Sequence, residues 1–198
     1  FATGNSWVVG SPAVAEGKML SGGAFTESGH GSDITALDTL AVRHGEEWII
    51  NGTKTFITNG GLAGFYCTLC QTDVGCSPSY RGISMILVEA DRPGLTTADV
   101  GEKMGIHMMA TAEVNYKDVR VPAANLIGKE GRGFYQVLEF FDESRILGAA
   151  QALGTAQHIV DLEEGLEQQR ERDGDHRGVV AAGAQHRGHH VGARDPTR

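Results

Sequence analysis

The chain has 198 residues, of which 40% are apolar and 21% charged, and its formal net charge is −8. That length holds one domain, or one domain and part of another, with enough apolar residues to bury a core. The acidic balance argues against nucleic acid or an anionic membrane as the main partner, and no apolar run is long enough to span a bilayer.

In chain order, residue 1 is Phe, not Met, and no basic-plus-apolar leader precedes it, so the start reads as a position internal to a longer chain. Residues 1–21 offer one short helix, around residues 13–20. From residue 22 to 122 the chain consists of short strand-like runs separated by Gly, Pro and Asn turns, the texture of an antiparallel sandwich or barrel. Residues 37–43 and 47–50 read as strands joined by a turn at His44-Gly45. Asn51-Gly52 predicts a second, tight turn. It leads into a strand over 53–58, on which Phe56 and Thr58 share one face and Thr55 and Ile57 the other. Further strands are predicted at 65–71, 82–89 and 112–116, with a turn at Pro93-Gly94 and a polar surface loop over 72–80.

Cys67, Cys70 and Cys76 fall in one short stretch. A zinc site needs about four ligands, and no second Cys pair or nearby His supplies them. Their apolar neighbours Phe65, Tyr66 and Leu69 mark a buried strand, so the thiols are expected to pack rather than react. A reducing compartment follows from that usage, and a cytoplasmic location is expected, or the mitochondrial matrix in a eukaryote. No metal site is expected.

After Gly131 and Gly133 the period changes. Phe134, Val137, Leu138 and Phe141, then Ile146, Ala149, Ala150, Leu153, Ala156 and Val160, show the three-and-four spacing of an amphipathic helix. Such a helix needs partner helices to cover its stripe. Residues 165–198 are rich in Arg, Gly, His, Ala and Asp, and include His176, His186, His189 and His190. This composition reads either as a disordered or metal-binding tail or as a GC-rich gene translated out of frame, and the second reading is favoured because the amphipathic pattern stops abruptly.

One ordered series of motifs runs through the chain. Ala24-Phe25-Thr26-Glu27-Ser28-Gly29-His30-Gly31-Ser32-Asp33 is a strand entering a glycine-rich loop, where backbone N–H groups can approach a ligand. Lys54-Thr55-Phe56-Ile57-Thr58-Asn59-Gly60 follows, then residues 82–89, Lys103-Met104-Gly105 and Val119-Arg120-Val121-Pro122. Asn125-Leu126-Ile127-Gly128, Gly131-Arg132-Gly133-Phe134 and Phe141-Asp142-Glu143-Ser144-Arg145 complete it. The series resembles the acyl-CoA dehydrogenase family over residues 18–164.

The resemblance implies an α+β fold: an antiparallel sandwich or barrel-like middle domain between helical domains. Residues 1–21 would end the first helical domain, 22–130 form the middle β-domain, and 131–164 the first helix of the next, with 165–198 an atypical tail. It implies FAD as cofactor, contacted by Phe25, Thr26, Gly31, Ser32, Phe56, Ile57 and Thr58, and acyl-CoA contacted by Ser32, Asp142 and Arg145. The implied activity is flavin-dependent α,β-dehydrogenation of an acyl-CoA thioester in fatty acid metabolism. An electron-transfer flavoprotein or similar acceptor is the implied partner, and a homo-oligomer the implied full-length assembly. The family's base is expected beyond residue 198. In a minority of members it immediately precedes the residue matching Arg145, where this chain has Ser144; Glu143 lies about 100° further round the helix. The alternatives are an acyl-CoA oxidase-like flavoenzyme or an inactive β-domain fragment.

The sequence departs from the family pattern at several positions. His30 stands where a small residue is usual, Phe25 is bulkier than the common aliphatic, Phe56 replaces Trp, and His107 and Met109 replace Arg and Ser. Acyl specificity is therefore left open. Read singly, Phe56 also suits a core aromatic, and Asp142 with Arg145 a surface i,i+3 pair.

Overall fold

A computed structural model describes residues 12–172. A one-turn helix α1 (Pro12–Ala15) leads into eight strands, β1 (Ser21–Ala24), β2 (Leu40–His44), β3 (Glu47–Thr58), β4 (Phe65–Gln71), β5 (Ile83–Glu89), β6 (Leu95–Asp99), β7 (Thr111–Pro122) and β8 (Leu126–Ile127). A long helix α2 (Gly133–Arg172) follows. The strands form one sheet in the order β6-β7-β3-β2-β4-β5-β8, with β1 added beside β4. This is the expected α+β class with a sheet that does not close.

Most pairings are antiparallel, but β1 and β2 both run parallel to β4, so the sheet is mixed. Ser21–Ala24 pair with residues 65–68, and Leu40 pairs with Gln71. β1 and β2 therefore lie one after the other along the same edge of β4. The glycine-rich loop, residues 25–39, leaves the sheet at the gap between them and returns to it.

Two cores form on the two faces of β4 and β5. Tyr66, Cys70, Ile86 and Val88 pack with Trp48, Ile50, Val114, Tyr116, Val119 and Val121 of β3 and β7. The sheet folds over to allow this: Thr68 on β4 meets Tyr116 on β7 at 2.9 Å between hydroxyls, although β3 and β2 separate those strands in the sheet. On the other face, Leu69, Ile83 and Met85 pack with Ile34 and Leu37 of the loop and Val137 of α2, backed by Phe25, Cys67, Phe134 and Phe141. Cys67 and Cys70 behave as their neighbours suggested, while Cys76 lies half-buried in the loop after β4 and joins neither core. Cys67 and Cys70, three apart on a strand, point to opposite faces, and neither is in a disulfide. Burial pushes their thiols up to about 11 and about 12, which removes the reactive thiolate at neutral pH.

The Asn51-Gly52 turn is not formed. β3 runs unbroken for 12 residues, and the hairpin lies only at Gly45 and Glu46, where Gly45 has φ 63°. Asn51 instead reaches across to β7. Its Nδ2 donates to Asp118 Oδ1 at 3.2 Å, and its Oδ1 accepts from Asp118 N at 2.9 Å. The β3–β7 register shifts between Ile50 and Gly52, so the dipeptide makes a bulge rather than a turn. Gly52 is required there: φ is 149°, and a Cβ would lie 2.6 Å from Thr39 Cα. Tertiary pairing thus overrides the local turn preference. The structure also differs from the expectation in starting β2 at Leu40, extending β7 over Thr111–Pro122 and adding β6 after the predicted turn at Pro93-Gly94, where Gly94 has φ 90°.

The chain divides into two units, Phe1–Asp142 and Glu143–Arg198. The 40-residue α2 begins in the first, with Gly133 and Val137 buried. In the second unit the helix continues through Arg172, past the expected limit at residue 164, and Ile146, Leu147, Leu153, Ile159, Leu162 and Leu166 are exposed. The expectation for the tail falls mostly on residues 173–198, outside the described residues. Among the described residues no helix is long and apolar enough to cross a membrane.

The two glycines of β3 and its hairpin should respond differently to substitution. Gly52→Ala should cost about 3 kcal/mol, since strained φ adds to a backbone clash. Gly45→Ala, with φ 63° and nothing within 4 Å of its added Cβ, should cost about 1 kcal/mol. Urea unfolding of both variants measures the difference.

Candidate functional site

The loop between β1 and β2 is shaped by its own polar groups. Glu27 and His30 exchange backbone hydrogen bonds at 3.1 Å each, folding Ser28 and Gly29 into a tight tip. Asp33 Oδ1 accepts from Thr35 N at 2.9 Å and Thr35 Oγ1 at 2.6 Å, which turns the chain back toward the sheet. Gly29 and Gly31 have open space at an added Cβ, and neither has a positive φ, so the fold itself does not demand glycine at these positions.

Beneath the loop lies a buried ion pair. Lys54 on β3 is fully buried, and its Nζ donates to Glu27 Oε1 at 2.7 Å and to the Phe25 carbonyl at 3.1 Å. Glu27, 4% exposed, also accepts from Asp38 N at 2.7 Å on Oε2 and from Thr39 N at 3.0 Å on Oε1. Burial alone would raise the Glu27 carboxyl. The Lys54 charge and the hydrogen bonds from Lys54, Thr39 and Asp38 together hold it below its ordinary value of 4.5. Burial also holds the Lys54 ammonium below its ordinary value of 10.5, against the raising influence of Cys70 and Glu27. The two ends thus pull in opposite directions on the charged pair. Glu27 governs the acid side, because three N–H donors converge on its carboxylate. His30 and Asp38 bring further ligand atoms to within 4.8 Å of those of Glu27, but Lys54 and two backbone amides already occupy that carboxylate.

Next to this pair, β3 changes the face it presents. Trp48, Ile50 and Lys54 point inward at even positions, whereas Thr55 and Ile57 are buried at odd ones. The switch comes at a second register shift against β7, between Lys54 and Ile57. A strand without the bulge would carry Phe56 inward. Instead Phe56 adopts φ 56° and stands 69% exposed, with Thr58 on the same face. A bulky residue in the left-handed region costs about 1–3 kcal/mol, and such strain concentrates at functional sites. The Thr55 amide donates to the Thr26 carbonyl at 2.9 Å, which places the loop beside this point of the strand.

The fold brings some of the sequence-predicted positions together and separates others. Thr26 is brought beside β3, and Phe56 and Thr58 share one face, as the alternation of residues 55–58 predicted; that the face is the exposed one is the work of the bulge. Ile57 is buried beneath them. Phe25 turns toward α2, with ring centroids 5.9 Å from Phe140 and 6.2 Å from Phe141. Gly31 and Ser32 are exposed on the loop, and Asp142 and Arg145 are exposed on α2. An exposed aromatic with a threonine on the same strand face suits a flat heteroaromatic group with a polar edge. The pair beneath, Glu27 and Lys54, was not recognised from sequence. The available signal was the parity of Lys54 with Trp48 and Ile50, which puts a lysine on the inward face.

The family model "Acyl-CoA dehydrogenase, middle domain" matches residues 22–119. The chain is 44% identical over 149 residues to a cyclohexane-1-carbonyl-CoA dehydrogenase of Syntrophus aciditrophicus, covering 74% of this chain and 38% of that one. Among solved structures it resembles an acyl-CoA dehydrogenase of Geobacillus kaustophilus, at 45% identity and TM-score 0.63 over 65% of this chain and 34% of that one. Butyryl-CoA dehydrogenase of Megasphaera elsdenii matches at 39% identity and TM-score 0.68, over 72% and 37%. The chain thus spans between a third and two fifths of the length of these relatives.

Lys54→Met should destabilise the chain by about 3–5 kcal/mol, because it leaves a buried carboxylate without its counter-ion. The pH dependence has a definite sign. A folded-state carboxyl held below its ordinary value contributes fully above pH 4.5, and the contribution is lost as pH falls through the lowered value. Urea midpoints from pH 3 to 7 should show the stability advantage of the wild type over Glu27→Gln shrinking on that acid side and constant above it.

Proposed function

We propose, from the premise that the chain belongs to the acyl-CoA dehydrogenase family by its middle domain, that residues 22–130 hold FAD and part of an acyl-CoA thioester. The observation that carries this reading is the exposed, strained Phe56, turned outward by a bulge beside the loop that bears Thr26. In this reading Phe56 offers a stacking face and excludes water from one side of the flavin ring. The hydroxyls of Thr26 and Thr58 serve its polar edge. Ile57 supports the face from below, and Phe25 ties the loop to α2. Gly31 and Ser32 leave room for the ligand at the loop, and Ser32, Asp142 and Arg145 are assigned to the acyl-CoA.

Bound FAD supplies a hydride acceptor, so that the whole enzyme removes hydrogen from the α and β carbons of the thioester. The proton on the α carbon needs a base whose pKa is raised toward neutrality. Glu27 is unsuited to be that base, since both of its oxygens accept hydrogen bonds and its carboxyl is held low. The reading therefore places the base outside the β-domain, with an electron-transfer flavoprotein or similar acceptor taking the electrons and a homo-oligomer as the full-length assembly.

The test is flavin absorbance of the purified chain after incubation with FAD, followed by anaerobic addition of octanoyl-CoA. Bound flavin with a perturbed spectrum and no bleaching is expected. No bound flavin would overturn the reading, and bleaching would place a base in this chain, with Glu143 the first residue to mutate. Phe56→Ala should weaken FAD binding about tenfold, equivalent to about 1.4 kcal/mol of lost stacking, as measured by fluorescence titration.

A further inference from the structure

We infer that Glu27 and Lys54 form a positioning pair, which holds Thr26 in register with Phe56 and Thr58 and thereby sets how tightly the flavin is held; the inference rests on the flavin reading above.

Three observations carry it. First, the contacts bracket Thr26. The Lys54 ammonium bonds the Phe25 carbonyl on one side of Thr26 and the Glu27 carboxylate on the other, while the Thr26 carbonyl accepts from Thr55 N. Among the described residues that last bond is the only backbone hydrogen bond between the loop and β3. Second, the pair acts where the sheet lets go. Lys54 is paired with Val114, but Thr55 and Phe56 have no partner on β7, and the next pairing is Ile57 with Ala112. The register of β3 at Phe56 is therefore not set by the ladder, and the side-chain bonds of Lys54 lie immediately before the gap. Third, Glu27 also secures the far end of the loop through the amides of Asp38 and Thr39, just before β2 begins at Leu40.

A buried ion pair is not needed to fill that volume. Apolar side chains of similar size often stabilise a core as well or better. What they lack is direction: a methionine in place of Lys54 fills space but selects no carbonyl. Two fixed acceptors and a fixed donor, by contrast, define where the loop lies along the strand. Glu27 and Lys54 are thus positioning residues acting through Thr26, with no contact to the flavin required of them.

The test uses the double variant Glu27→Gln/Lys54→Met, which removes both charges, leaves no buried ion unpaired and keeps a carbonyl oxygen for one of the two loop amides. Two readings are taken relative to the wild type. The first is amide exchange at Thr55 in the flavin-free chain, referenced to Ile86 in the core. The second is the FAD dissociation constant. Thr55 is expected to exchange at least tenfold faster while Ile86 is unchanged, with FAD bound at least tenfold more weakly. A merely structural role predicts that Thr55 and Ile86 shift together, or not at all, and that FAD affinity is retained; either result overturns the inference. Glu27→Gln/Lys54→Leu, which likewise leaves no buried ion unpaired, is read in the same way should the first double variant fail to fold. If the wild type binds no FAD, the flavin reading itself falls, whereas wild-type binding with an unaffected double variant removes only the positioning role.

Discussion

A lysine with no solvent contact, on a strand otherwise lined inward by Trp48 and Ile50, is the constraint on which the site depends. An ammonium buried without a counter-ion costs several kcal/mol, so the fold must bring a carboxylate and further acceptors to it. The glycine-rich loop does so with the Glu27 side chain and the Phe25 carbonyl. The loop in turn is obliged to lie over β3, and its return into β2 is fixed by the two amides that Glu27 also accepts. Sheet topology makes room for this. Because β1 and β2 follow one another along β4, the chain between them has to leave the sheet and come back, and the buried pair bonds it to β3.

The bulge after Lys54 converts that constraint into a surface. Without it, the two-residue period that buries Trp48, Ile50 and Lys54 would have carried Phe56 into the core. With it, Thr55 and Ile57 take over the inner face and Phe56 is turned out in a left-handed backbone conformation. A strained, exposed aromatic is costly for a domain with no use for it. The Lys54–Val114 pairing on one side and the Ile57–Ala112 pairing on the other flank Phe56 on the ladder with β7. Helix α2 contributes from the opposite face of β4 and β5, where Val137, Phe134 and Phe141 cover Leu69, Ile83 and Met85 and Phe25 joins them to the loop.

Much of this was legible in the residues, and the exceptions have physical causes. The strand-rich middle region, the change to helical period after Gly133, the packing role of Cys67 and Cys70, and the sharing of one face by Phe56 and Thr58 all follow from local periodicity, whereas the outward direction of that face depends on the bulge after Lys54. Asn51-Gly52 misled because its turn preference is intrinsic to the dipeptide, whereas its bulge depends on Asp118 and Thr39, distant in sequence. β6 was missed because only Leu95 of its residues is even partly buried, so its sequence carries no alternating apolar signal.

The sequence by itself determined the fold class and the resemblance to the family, since these rest on residue type, period and the order of motifs. Tertiary structure alone decided that β1 and β2 run parallel to β4, that the sheet folds Thr68 onto Tyr116, and that Glu27 and Lys54 meet under the loop. The reason is the same for each. These are contacts between residues far apart in the chain, and their energy depends on burial and direction, which local pattern does not encode.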